Sequence, residues 1–321
     1  HGDLLNMLSQ RIITGPLLVL LLLGLAWLDQ YVSGLQLQTS ALLGWPMSEF
    51  GIETVPPGLV LFLVCCIVIA LASQELGAVA RGSGLRCHAG LVSTFSILIL
   101  AAMWIGAAMP QQTEGTGTLP MAMLACLLAA CFFSALVTGS WGQRTDGVLA
   151  SAATSVCFTI YLGMFLGFFM MIHISHSIWW IIGIIAIVKM CDTGAYFTGS
   201  AIGRHKMIPW LSPGKTWEGL AGGLITSMLT GWGLVAMSAA WLTDEPTIST
   251  GWALALGLVI GLVGQLGDLT MSLLKRGADM KDSSSLLPGL GGIMDILDSP
   301  LLAAPVAWLL LSWVTHTTTT G

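Results

Sequence analysis

The chain has 321 residues, 55% of them hydrophobic and only 8% charged, with a net charge of −5 and a mean hydropathy of +0.86. Apolar runs of about 18 residues or more recur along it, each able to cross roughly 30 Å of hydrocarbon. No soluble fold of this length could hide so many apolar stripes, so soluble classes are excluded; the expectation is an all-α, polytopic helical membrane protein with no nucleic-acid partner.

Length and hydropathy predict about nine membrane segments, near 12–28, 57–73, 91–108, 119–138, 149–172, 177–198, 219–241, 252–274 and 300–314. The first follows Arg11 with no small-residue cleavage pattern behind it, and reads as a retained helix rather than a removed signal. Between the first two segments runs a polar-aromatic connection whose Tyr31 and Trp45 suit a membrane interface. The cysteines at 65, 66, 126, 131 and 157 fall inside apolar runs and read as small core residues.

With alternating sides, all 11 basic residues fall on one face: Arg11, Arg81, Arg86, Arg144, Lys189, Arg204, Lys206, Lys215, Lys275, Arg276 and Lys281. The positive-inside rule then puts the N-terminus and these connections in the cytoplasm and the C-terminus outside. That orientation suits a bacterial-type inner (cell) membrane with its site on the cytoplasmic face. His173 and His176 fall on the opposite, charge-poor face with no acid nearby in sequence, and read as interfacial polar residues.

Charge also divides the chain by role. Residues 1–148 are largely apolar scaffold, whereas 149–321 carry the chemistry on two connections, 191–218 and 275–299. Ionisable groups beside membrane helices are costly and mark functional sites by default. On the eighth segment Asp268, Ser272 and Lys275 stand at i, i+4 and i+7, one stripe of a helix. Asp295 and Asp298 are spaced i, i+3 and face one way on a helical turn. Carboxylates converging there with Asp268 would make an oxygen-rich pocket for a hard divalent cation, Mg²⁺ above all. Gly289, Gly291 and Gly292 just before them permit a close backbone approach to phosphate. The other connection offers Asp192, Ser212, Lys215 and Thr216, a cationic stretch able to hold phosphates. Gly214-Lys215-Thr216 is not a P-loop, because Pro209 stands where that pattern needs glycine and no strand is expected before it. Asp146-Gly147 opens no CDP-alcohol phosphotransferase motif, since Ser151 replaces its arginine.

The stretch from Ser272 to Asp298 resembles the signature of the phosphatidate cytidylyltransferase (CDP-diacylglycerol synthase) family. The matching residues are Ser272, Leu274, Lys275-Arg276, Lys281-Asp282, Ser284, Leu287-Pro288, Gly291-Gly292-Ile293, Asp295 and Asp298. Gly264 to Leu269, Asp192-Thr-Gly-Ala-Tyr and Ser212-Pro-Gly-Lys-Thr-Trp-Glu-Gly also look like that family. The resemblance implies transfer of a cytidylyl group from CTP to phosphatidate, a cation site at Asp268, Asp295 and Asp298 (with room for a second cation), and a homodimer among membrane lipids. Lys275, Arg276, Lys281 and Lys215 would hold phosphates, helped by Ser212 and Thr216, with Asp192 on metal or on a basic partner. Three positions depart from the family pattern: Leu290 replaces a histidine, Ile296 an arginine, and Met271 a common acid. They define the alternative, an inactive or altered-substrate relative that binds or transports lipid.

Overall fold

The computed structural model describes residues 2–33, 56–108, 119–141, 145–241, 248–284, 286 and 291–319. Trp45, Arg144, Leu287, Pro288, Gly289 and Leu290, and the Arg11 side chain, lie outside that description. Among the described residues ten helices follow one another: α1 (Gly2–Ser33), α2 (Leu59–Gly82), α3 (Ala89–Ala108), α4 (Leu119–Ser140), α5 (Val148–Thr159), α6 (Phe165–Ser175), α7 (Ile178–Ile202), α8 (Trp217–Trp241), α9 (Thr250–Gly277) and α10 (Met294–Thr319). A π-helical turn, Ile160–Met164, joins α5 to α6 into one span. Among the described residues nine spans are therefore long and apolar enough to cross a membrane, as hydropathy predicts.

The helices run further than the apolar stretches that announce them. Once the first turn is formed, each further residue adds a backbone hydrogen bond, so a helix does not stop where its apolar run does. As a result α7 continues ten residues past Asp192, and the expected loop 191–218 is helix as far as Ile202. Its remainder folds as an antiparallel hairpin of β1 (Lys206–Ile208) and β2 (Ser212–Thr216), which pairs Lys206 with Thr216 and Ile208 with Ser212. This hairpin is the departure from an all-α chain, and it places a strand before Gly214 where none was expected. Gly214, Lys215 and Thr216 themselves lie on β2, so they form no phosphate-cradling loop.

Packing follows two logics. Ile69, Leu76, Leu100, Leu162, Met170, Ile172 and Leu301 are fully buried where α2, α3, the α5–α6 span and α10 meet. Between α7 and α8, close approach does the work instead: a Cβ on Gly222 would collide with Thr198, so only glycine lets the two helices touch there.

Helix ends gather into two polar sets. At one end Asp29 of α1 is 1% exposed, accepts from the amides of Val60 and Leu61 at 2.9 and 3.1 Å, and lies 2.7 Å from His173 Nε2 on α6. His173 thus has an acidic partner, 144 residues upstream and invisible to local spacing. At the other end the Ser83 hydroxyl, just beyond α2, donates to the Gly277 carbonyl of α9 at 3.3 Å, and the hairpin and the start of α10 lie at this same end.

Candidate active site

At that second end α7, β1, β2, α8 and α9 enclose a cavity of about 450 Å³, within the range of small-molecule sites. Asp192 from α7, Lys215 and Thr216 from β2, and Gln265 and Asp268 from α9 line it. The Lys215 ammonium lies 2.7 Å from Asp268 Oδ2 and donates to Gln265 Oε1 at 3.0 Å. Gln265 in turn donates to Asp192 Oδ1 at 2.7 Å, while Lys189 stands 3.7 Å from the other Asp192 oxygen. The result is a continuous chain, Lys189–Asp192–Gln265–Lys215–Asp268, across three elements. The Thr216 hydroxyl accepts from the Gly219 amide at 3.1 Å and so caps α8 while lining the cavity. The hairpin is fixed at its base by Glu218, whose carboxylate accepts from the amides of Arg204 and His205 at 3.1 and 3.2 Å.

A second cluster surrounds the start of α10. Asp295 Oδ1 accepts from Lys275 at 2.7 Å, and Oδ2 accepts from the Gly292 amide at 2.8 Å and from the Ser283 amide at 3.1 Å. The Ser283 hydroxyl lies 2.7 Å from Glu75 Oε2 and 3.1 Å from Asp295 Oδ2. Glu75, on α2, also accepts from the Ser284 hydroxyl at 2.6 Å and from the amides of Ile293 and Met294 at 2.9 Å each. Gly292 is obligatory in this crush, because a Cβ there would overlap both Ser283 Oγ and Glu75 Oε2.

Asp298 sits one turn further into α10, 3% exposed, its Oδ1 accepting from the Ser299 amide at 2.6 Å. Its backbone carbonyl accepts from Tyr161 of the π-turn at 3.2 Å; such turns recur at functional sites. Asp298 meets α9 beside Asp268, since a Cβ on the neighbouring Gly267 would lie 2.5 Å from the Asp298 carbonyl oxygen. The structure therefore brings Asp192, Lys215 and Asp268 together, and Lys275, Asp295, Gly291 and Gly292 together, with Asp298 packed against α9 beside the first group. Ser212 and Ser272 are half-buried, whereas Arg276, Lys281 and Asp282 are exposed on the adjoining surface. Ile296 is half-buried and Met271 is fully buried in the apolar core.

Among the described residues no three His, Cys, Asp or Glu side chains form a ready-made metal cage. The acids nearby, Asp192, Asp268 and Asp298, would offer a cation oxygen alone. That suits Mg²⁺, which usually takes one or two carboxylates and completes its shell with water and substrate phosphate.

Sequence reasoning passed over two residues. Glu75 is the single acid within the Leu59–Gly82 span, and the rule that ionisable groups in membrane helices mark function would have found it. Gln265 lies at i, i+3 from Asp268 on the same helix face, a neighbour that spacing does reveal.

The sequence profile of the cytidylyltransferase family matches residues 37–314 of this chain. The chain is similar to a Bacillus subtilis protein named phosphatidate cytidylyltransferase, at 31% identity over 77% of this chain and 87% of that relative. It is 40% identical to the Haemophilus influenzae protein of that name over 40% of this chain and 44% of the relative. It is also 32% identical to the Mycobacterium bovis one over 59% of this chain and 61% of the relative.

Proposed function

The chain belongs to the cytidylyltransferase family, and from that premise we propose that it transfers the cytidylyl group of CTP to phosphatidate in phospholipid biosynthesis. A phosphatidate phosphate oxygen attacks the α-phosphorus of CTP, the α–β bridging bond breaks, and CDP-diacylglycerol and pyrophosphate leave. The observation that carries this reading is the Lys215 ammonium held between Asp268 and Gln265 on the wall of a 450 Å³ cavity at the helix ends. Such a cavity lets a water-soluble triphosphate meet a lipid still held among helices. The nucleophile belongs to the substrate, so the protein must align reactants and offset charge rather than supply a covalent intermediate.

Lys215, Lys275, Arg276 and Lys281 hold phosphates, with Ser212, Thr216 and Ser272 beside them and Asp282, Gly291 and Gly292 shaping the approach. Asp268 and Asp298 would hold Mg²⁺ with Asp192 alongside. Asp295 has Oδ2 crowded with donors and Oδ1 on Lys275, so it would take a second cation only as Lys275 moves onto phosphate. Bound there, the cation would offset charge on the triphosphate as it builds in transfer. The cavity faces the cytoplasm, with the N-terminus inside and the C-terminus outside, supported by the one-sided placement of the basic residues. The working unit is a homodimer in the cell membrane.

The alternative, a non-catalytic lipid carrier, is not favoured: the relative matched over most of both chains is named phosphatidate cytidylyltransferase. The test is pyrophosphate release from CTP plus phosphatidate, with and without Mg²⁺, beside Asp268→Asn and Asp298→Asn. Both substitutions abolish release if the acids hold the cation; undiminished activity in both overturns their assignment. Ile296→Arg together with Leu290→His asks whether the family's side chains at those positions raise the rate. Orientation is read from a cysteine at Trp210, in a background free of other reactive thiols, which an impermeant maleimide should label in inverted vesicles only.

A further inference from the structure

We propose that Glu75 is a positioning residue for the transfer, setting the first turn of α10 and the Lys275–Asp295 pair from a helix outside the signature. The inference rests on the reading above and adds a role for the apolar half of the chain.

Glu75 is 6% exposed in a span with no other acid, yet both its oxygens are fully used. Each takes one serine hydroxyl and one backbone amide: Ser284 and Ile293 on Oε1, Ser283 and Met294 on Oε2. The two amides are those of the residues that open α10, which no residue of their own helix can satisfy. A carboxylate there both caps the helix and sits at the positive end of its dipole. The cap thus comes from a residue 219 positions before Met294 rather than from the neighbouring sequence.

The link to the site runs through Ser283. Its Oγ lies between Glu75 Oε2 and Asp295 Oδ2, at 2.7 and 3.1 Å, and its own amide holds the same Asp295 oxygen. Asp295 in turn fixes Lys275 at 2.7 Å. A hydroxyl carries one proton, which the closer Glu75 oxygen takes, leaving Asp295 to the two amides and to Lys275. Any change at Glu75 therefore reaches Ser283, then Asp295, then the ammonium proposed to hold phosphate. Glu75 and Ser283 stand behind Asp295 and Lys275 rather than beside the substrate, so their role is one of placement. Displacing a positioning element by about 1 Å is enough to cost on the order of 100-fold in rate.

The experiment uses the full-length protein in detergent with mixed micelles of phosphatidate. Glu75→Gln keeps the shape but turns one acceptor into a donor aimed at N–H and O–H groups. It is expected to lower kcat by about 10- to 100-fold while KM for CTP and for phosphatidate move less than about threefold. Ser283→Ala should lower kcat in the same way, and the double variant should be no worse than Glu75→Gln alone, because both cut one path. Hydrogen exchange is read on peptides covering 291–299, where Glu75→Gln should speed exchange, against peptides covering 253–262, which should not change. A folded Glu75→Gln protein with parental kcat overturns the proposal, as do additive losses or unchanged exchange at 291–299. If Glu75→Gln does not fold, Ser283→Ala decides alone, and parental kcat in that variant overturns it. A parent protein that releases no pyrophosphate sinks the assigned reaction instead, while the exchange data still judge the placement.

Discussion

Lys215 Nζ stands 2.7 Å from Asp268 Oδ2, joining the short hairpin to the eighth membrane span on the wall of the cavity. The two residues come from elements that share no local sequence, and both retain partial exposure. An exposed pair contributes little to stability, about 0–1 kcal/mol. Lys215→Met therefore loses little with Asp268, but it leaves the buried Gln265 oxygen unmatched, so the melting temperature should fall modestly. It should lower kcat/KM for CTP by about 100-fold, equivalent to about 2.7 kcal/mol of transition-state stabilisation. Pyrophosphate release at varied CTP measures it, and an unchanged kcat/KM would remove Lys215 from the site.

Gln265 makes a companion prediction. It is 5% exposed, and its amide satisfies Asp192 on one side and Lys215 on the other. Gln265→Leu fills the volume but strips both partners, which costs about 1–3 kcal/mol for a buried polar group left unmatched. The melting temperature in detergent should fall, and activity with it by about tenfold as Lys215 loses its second anchor. Gln265→Glu restores an acceptor for Lys215 but sets a carboxylate against Asp192, so it should lower activity further than leucine does. Equal activity in both variants would mean that the bridge does not hold Lys215.

The spans, their number and the grouping of charge at one set of helix ends could all be read from hydropathy and the placement of lysine and arginine. Those features depend on composition along the chain, which sequence displays directly. The β-hairpin was missed because Lys206–Thr216 has no alternating apolar pattern; it is held by cross-strand pairing and by Glu218 at its base. Asp29–His173 and Glu75–Met294 were missed for another reason. Each joins residues more than 140 positions apart, and only the helix packing brings them together. Asp268, Lys275, Asp295 and Asp298 each stood out because charge is costly in an apolar chain. Which cation each acid would meet was not legible, since Asp268 faces Lys215 rather than the Lys275 of its own stripe.

Gly267 tests how tightly α9 and α10 must fit for Asp298 to serve. A Cβ on it would lie 2.5 Å from the Asp298 carbonyl oxygen and 2.9 Å from Ser299 Cα, both backbone atoms that cannot rotate away. Gly267→Ala should therefore push α10 outward, at a cost of about 1–3 kcal/mol as overpacking, and displace the Asp298 carboxylate from Asp268. Gly233→Ala, with nothing within 4 Å of its new carbon, is the matched control and should leave both stability and activity alone. Comparison of melting and pyrophosphate release in the two variants checks the claim. A Gly267→Ala protein as stable and active as the control would show that the helices have slack there.

Asp29 separates stability from activity most cleanly, because it lies at the other set of helix ends from Lys215 and Asp268. Its Oδ1 holds the first amides of α2, and its Oδ2 holds His173 of α6, so one side chain pins three helices. Asp29→Asn keeps an acceptor for one partner and loses the other, leaving a buried polar group unmatched at about 1–3 kcal/mol. The melting temperature should drop by several degrees. Below that melt, kcat and both KM values should stay within about twofold of the parent, since no hydrogen bond of the Lys215 or Glu75 clusters involves Asp29. His173→Gln is expected to match it in stability, and the double variant should add little, as the two side chains share one contact. A fall in kcat with no loss of stability would instead tie the far end of the bundle to the reaction, and would require coupling through α2 to Glu75.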